Sequence, residues 1–231
     1  MNTKNQIIAA WCGPAFMALM SIGWVLIAGY FPPHSPTFTG SEVAAFYQPN
    51  ILSIRFGLLL TLWGSVLFIP FSTVITIQLA RIEGRFPVWS WSQLAAGAGT
   101  TLTLAFPIMF WATAAFRPDR SPELLQLLDD LGWIPFAGMT APFMLQPLCI
   151  ALVGLMDKSE HPIFPRWVCF FNLWADLLIL PGGIIIFFHS GPFAWSGLFG
   201  IWIPFIAFGA WFGLMTYCLV KGIKRQALTE S

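Results

Sequence analysis

"VCFFNLWADLLILPGGIIIFF", residues 168–188, is apolar for longer than any strand, and its one carboxylate is Asp176. About 20 such residues cross a hydrocarbon core as a helix. Lipid offers the backbone no hydrogen bonds, so an unbroken run of this length is helical rather than a barrel strand. The stretch therefore reads as a transmembrane helix, and it asks why a carboxyl sits a third of the way along it.

The rest of the chain agrees. Of its 231 residues, 57% are hydrophobic and 9% charged, with 23 Phe and 12 Trp. A soluble domain carries about 25% charged residues, so this chain cannot cover a soluble globule with polar surface. Six stretches are long enough to span: roughly 8–30, 52–80, 93–115, 132–156, 167–189 and 194–220. They predict an all-α, single-domain bundle of six transmembrane helices over 1–231. The first stretch is longer than a signal-peptide core, and "IAGYFPP" is a poor cleavage site, so it is read as a retained span. A net charge of +1 without a basic run argues against nucleic acid as a partner.

Lys4, Arg81, Arg85, Lys158, Arg166, Lys221, Lys224 and Arg225 fall on the side of the two termini. Arg55, Arg117 and Arg120 fall on the other. That bias puts both termini in the cytoplasm of a bacterial plasma membrane. Trp89, Trp91 and Trp167 are expected at the inner interface, and Trp133 and Trp195 at the outer one. The four cysteines (12, 149, 169 and 218) lie towards the inner ends, where free thiols are expected. They lack metal-ligand spacing, so no metal is expected.

Two short amphipathic helices are expected in the outer loops. Thr39-Gly40-Ser41-Glu42 fits a capping box ahead of "VAAFY". Ser121-Pro122-Glu123 puts a cap and a first-turn proline ahead of "LLQLLDDLG". "IPF" recurs at 69–71, 134–136 and 203–205, once in each even-numbered span, which is compatible either with a triplicated hairpin or with chance.

Asp176 is the first functional candidate. It lies about 14 Å into its helix, near mid-bilayer. An ionisable residue there is a functional-site hypothesis by default. Asn172 shares its helix face, four residues away. Gln146 on the fourth span reaches a similar depth, and Ser72, Thr73, Thr100, Thr101 and Thr103 can add hydroxyls. Either Asp176 is held by bonds to such neighbours, or it carries protons, binds a cation or acts as a general acid. The outer mouth is the second candidate: His34, Glu42, Tyr47, Arg55, Arg117, Asp119 and His189. Glu42 could pair with Arg55, although capping alone would explain Glu42. In-span prolines and aromatic residues, Trp24, Trp63, Trp111, Trp174, Trp202 and Trp211 among them, suit a cavity for a flat apolar molecule. They suit lipid contact equally.

No motif for haem, zinc, phosphate or a serine nucleophile is present, and no cofactor is expected. The leading expectation is a protein that binds or moves a small apolar or amphipathic molecule within the bundle. The alternatives are a membrane enzyme on a lipid or isoprenoid-like substrate, with Asp176 as general acid, and an accessory subunit of a membrane complex.

"FPPHSPTFTGSEVAAFYQPN", "ARIEG", "FRPDRSPEL", "FPRWVCFFNLWADLLILPGG" and "GPFAWSGL" resemble a group of small bacterial six-span integral membrane proteins. The resemblance covers nearly the whole chain. It implies a shared membrane architecture and brings no activity or catalytic residue with it.

Overall fold

The computed structural model describes residues 2–117 and 119–229; Pro118 lies outside them. The described residues form helices and connecting turns without a strand. Six helical segments are long and apolar enough to cross a membrane.

The first span is α1 (Thr3–Met20), continued by wider π-helical turns at Ser21–Ile27. Next comes α2 (Gly40–Tyr47), opened by the expected capping box: Thr39 Oγ1 accepts from the Glu42 amide, and the Glu42 carboxylate accepts from the Thr39 amide at 2.7 Å. The second span is split into α3 (Ile51–Ser65) and α4 (Phe68–Glu83). Pro70 has no N–H to donate back to Val66, so the ladder breaks there. The third span is one helix, α5 (Val88–Phe116).

The fourth is α6 (Pro122–Gly138) followed by α7 (Ala141–Met156). The helix begun at Pro122 therefore does not end before the fourth span. It continues into it, and the break falls at Met139–Thr140, just after Pro135 and before Pro142. The fifth span, α8 (Arg166–Ile179), tightens into 3₁₀ turns over Leu180–Phe187, where Pro181-Gly182-Gly183 disfavours α-helix. The sixth begins with π turns at Leu198–Trp202 and continues as α9 (Ile203–Thr229). Each "IPF" copy thus sits beside a helix interruption.

Each span packs against its neighbours in the chain, and α9 closes back on α1. The result is a ring of six spans, with α4 also touching α7 across it. The apolar interior has two halves. Near the termini, Phe16, Phe68, Phe71, Phe143, Trp211 and Phe212 pack ring on ring. At the far end, Trp24, Tyr30, Tyr47, Trp111, Trp133 and Trp195 form a second aromatic cluster. Phe136 and Phe205 touch both.

Two close approaches hold the ring tight. A Cβ on Gly57 would stand 2.3 Å from the Gly23 carbonyl oxygen, so the first span and α3 meet backbone to backbone. A Cβ on Gly97 would stand 2.0 Å from Ser72 Oγ. Small residues at such contacts are how membrane helices approach closely.

Candidate functional site

A cavity of about 90 Å³ opens between the two aromatic halves. Its wall is set by the helix interruptions. Met20 precedes the π turns of the first span, and Met139 and Thr140 form the break of the fourth. Ile179 ends α8 before its 3₁₀ turns, and Gly200 and Ile201 lie in the π turns of the sixth. Only α5 passes the cavity unbroken, with Thr100, Thr103 and Leu104 facing it. Irregular backbone at membrane depth is tolerated where protein buries it or where it lines a cavity. Here four of six spans depart from α-helix around one space.

The polar groups of the wall are three hydroxyls. Thr100 Oγ1 donates to the Ala96 carbonyl at 2.8 Å, and Thr103 Oγ1 to the Thr100 carbonyl at 2.9 Å. Both keep acceptor capacity. No hydrogen bond joins Thr140 Oγ1 to another described residue, so that hydroxyl can donate or accept. The remaining wall is apolar, with Phe136, Phe143, Phe205 and Phe208 prominent.

Behind Thr100 lies a closed hydrogen-bond network. Gln146 Nε2 donates to Thr100 Oγ1 at 3.0 Å, and Gln146 Oε1 accepts from Ser72 Oγ at 3.3 Å and Gln93 Nε2 at 3.2 Å. Gln93 Oε1 accepts from Thr76 Oγ1 at 2.5 Å. All five side chains are buried. A fully paired network of this kind fixes α4, α5 and α7 against one another, and the bare Cα of Gly97 leaves it room. Gln146 is thus placed one bond behind the cavity wall.

Asn172 is engaged elsewhere. Its Oδ1 accepts from Trp211 Nε1 at 2.8 Å, and its Nδ2 donates to the Val168 carbonyl. Asp176 is half-buried, and its Oδ1 is closed to solvent without a partner. Among the described residues no hydrogen bond joins Asp176, Asn172 and Gln146, and none of the three lines the cavity. The sequence expectation put them in one polar patch because they share depth. Depth does not set azimuth around a ring of helices.

A prediction follows for Asp176. An apolar side chain of similar shape removes the cost of an unmade buried bond, about 1–3 kcal/mol. Asp176→Leu should therefore raise the thermal midpoint in detergent. A lower midpoint would mean that a bound water or another partner holds the carboxyl.

The outer-mouth residues also separate. Glu42 serves the α2 cap. Arg55 bonds the Ala115 and Phe116 carbonyls at 2.9–3.0 Å, closing the last turn of α5, where a cation also suits the helix dipole. The two do not pair. Arg117 is exposed against the Phe116 ring, and His189 is exposed. Tyr47 is fully buried, and beside it His34 is drawn inward. Its Nε2 stands 2.8 Å from Asp129 Oδ2 and 3.1 Å from Trp133 Nε1. Asp129 Oδ1 accepts from Tyr47 Oη at 2.8 Å, and Tyr47 Oη accepts in turn from Tyr30 Oη at 2.9 Å. Trp195 Nε1 donates to the His34 carbonyl at 3.1 Å.

Trp133 and Trp195 are therefore buried, stacked at 6.3 Å, rather than spread at an interface. Their indole N–H groups find protein acceptors there. The expected belt residues Trp89, Trp91 and Trp167 are exposed. Asp129 is fully buried, although the sequence pattern places it only within a short amphipathic helix. The available signal is the doublet Asp129-Asp130 inside a run of leucines, because successive residues stand about 100° apart on a helix and the two carboxylates point in different directions.

In comparisons with protein-family models, curated proteins and solved structures, nothing matches the chain.

Proposed function

We propose that this integral membrane protein binds or moves a small apolar or amphipathic molecule at the cavity formed by its helix breaks. The observation that carries the reading is the convergence of four interrupted spans on one space. Discontinuous helices at mid-membrane are the recurring means of building substrate sites in transporters. The wall favours a mostly apolar occupant with one or two hydrogen-bonding atoms, met by Thr100, Thr103 and Thr140. At about 90 Å³ the space is smaller than the ~150 Å³ that admits a benzene ring. The occupant is correspondingly small, or the breaks hinge open to admit it.

The eight-to-three distribution of basic residues supports a cytoplasmic location for the termini in a bacterial plasma membrane. The resemblance to small bacterial six-span proteins is consistent with that setting. Asp176 is not assigned the role of polar contact, since its carboxyl does not reach the wall.

The test is a search by mass spectrometry for small molecules released from gently purified protein. Wild type is compared with Thr103→Phe, which fills the cavity from α5. The expected result is a compound released by wild type and lost from a variant with unchanged circular dichroism. Equal release from both proteins would end the assignment of the site.

A further inference from the structure

We infer a second binding site, for an anionic phospholipid, in a groove between α8 and α9 that opens at the end bearing both termini. The groove has a volume of about 500 Å³ and a wholly apolar lining. Its floor is made by small residues, Ala175, Ala207 and Ala210, and its walls by Trp167, Phe170, Trp174 and Ile206, which stand out of the bundle. Along α8 it runs from Trp167 to Leu178, about 16 Å at 1.5 Å per residue. That is the depth of one leaflet of a ~30 Å hydrocarbon core, the reach of an acyl chain inserted from one surface.

A second pocket of about 260 Å³ continues from the mouth of this groove, and Trp167 lines both. Its charged side chains among the described residues are Lys221 and Arg225, one helical turn apart on α9, and no described acidic side chain lines it. Lys221 is exposed, with its ammonium 5.6 Å from the centre of the Tyr217 ring. Arg225 is braced by the His161 carbonyl at 2.6 Å through Nη2, which leaves its other N–H groups to a ligand. A basic pocket between spans, opening on an apolar groove one leaflet deep, matches a phosphate headgroup above its acyl chain. No described residue lines both this groove and the helix-break cavity, so the lipid site stands independently of the proposed function.

The test exposes delipidated protein to vesicles of phosphatidylglycerol and phosphatidylcholine in equimolar amounts, then quantifies the lipid retained after repurification. Wild type should be enriched in phosphatidylglycerol. Lys221→Gln, an exposed change that leaves the fold intact, should reduce that enrichment about fivefold. This is the equivalent of the ~1 kcal/mol one basic residue gains near an anionic surface. Ala210→Trp, which fills the groove and leaves the basic pocket alone, should abolish retention of either lipid at this site. No enrichment in wild type, or enrichment untouched by both variants, overturns the proposal. Enrichment that survives Ala210→Trp and is displaced by free glycerol phosphate also overturns it, because the site would then hold a soluble phosphate.

Discussion

Asp129→Ala is expected to destabilise the protein by roughly 3–5 kcal/mol, the usual cost of removing one partner from a buried charge pair. The residue is fully buried and joins three elements: α6, which carries it; α2, through Tyr47; and the loop after the first span, through His34. Truncation leaves the Tyr47 hydroxyl without its acceptor and the His34 ring without its counter-charge. The same contacts predict a pH dependence. Burial alone lowers the His34 pKa. The hydrogen bond to Asp129, its negative charge, the Ser35 carbonyl and the charge of Asp130 together outweigh burial, and the net shift is upward. The folded state therefore favours the protonated ring.

Its stabilising contribution is complete below the unfolded histidine value of ~6.5. It is lost as pH rises through the higher folded value. The thermal midpoint of wild type should fall as pH is raised across that window, and Asp129→Asn should flatten the fall. The local chemistry agrees. Unprotonated Nε2 can accept from Trp133 Nε1, whereas protonated Nε2 must turn to Asp129. A midpoint that rises with pH in wild type, or an unchanged slope in Asp129→Asn, would show that His34 does not titrate as argued.

The spans were readable because the signal for a membrane helix is its length in apolar residues, and each span carries that signal alone. The capping box at Thr39 was readable because all its partners lie within four residues. The helix breaks were half visible. Pro70, Pro135, Pro181 and Pro204 mark them, yet Pro14 and Pro107 lie within helices that the structure leaves continuous. Whether a proline breaks a helix depends on what packs against the freed carbonyl.

The site was less legible for a different reason. Gln146, Asn172 and Asp176 share depth, and depth can be counted along a chain. The partners of Asn172 and Gln146 lie on helices 39 and 74 residues away, Trp211 and Ser72, and Asp176 Oδ1 has none. Nothing in the local pattern says which way round the ring they face. The same limit hid Asp129, whose partners Tyr47 and His34 come from a different hairpin.

Gly57→Val is expected to prevent accumulation of folded protein. A Cβ there would meet the Gly23 carbonyl oxygen at 2.3 Å, the Ala28 amide nitrogen at 2.7 Å and the Ala28 Cβ at 2.8 Å. The first two are backbone atoms and the third is fixed directly to backbone, so no rotamer change relieves the contact. Overpacking a well-filled core costs about 1–3 kcal/mol where side chains can shift; here the first span and α3 must separate instead. Separation would also strip Thr61 and Gly64 from their contacts with Gly23 and Leu19, and it would reach the Trp24 cluster beside the cavity. Gly64→Ala serves as the control. Its Cβ would meet a single atom fixed to backbone, Leu19 Cβ at 2.7 Å, and otherwise only outer Leu19 atoms at 3.3 Å or more, so a small shift of the two helices relieves it. Folded yield, read by size-exclusion chromatography in detergent, should fall to background for Gly57→Val and be reduced but measurable for Gly64→Ala. Normal yield and midpoint for Gly57→Val would mean that the two backbones do not touch, and the ring around the cavity would have to be drawn wider.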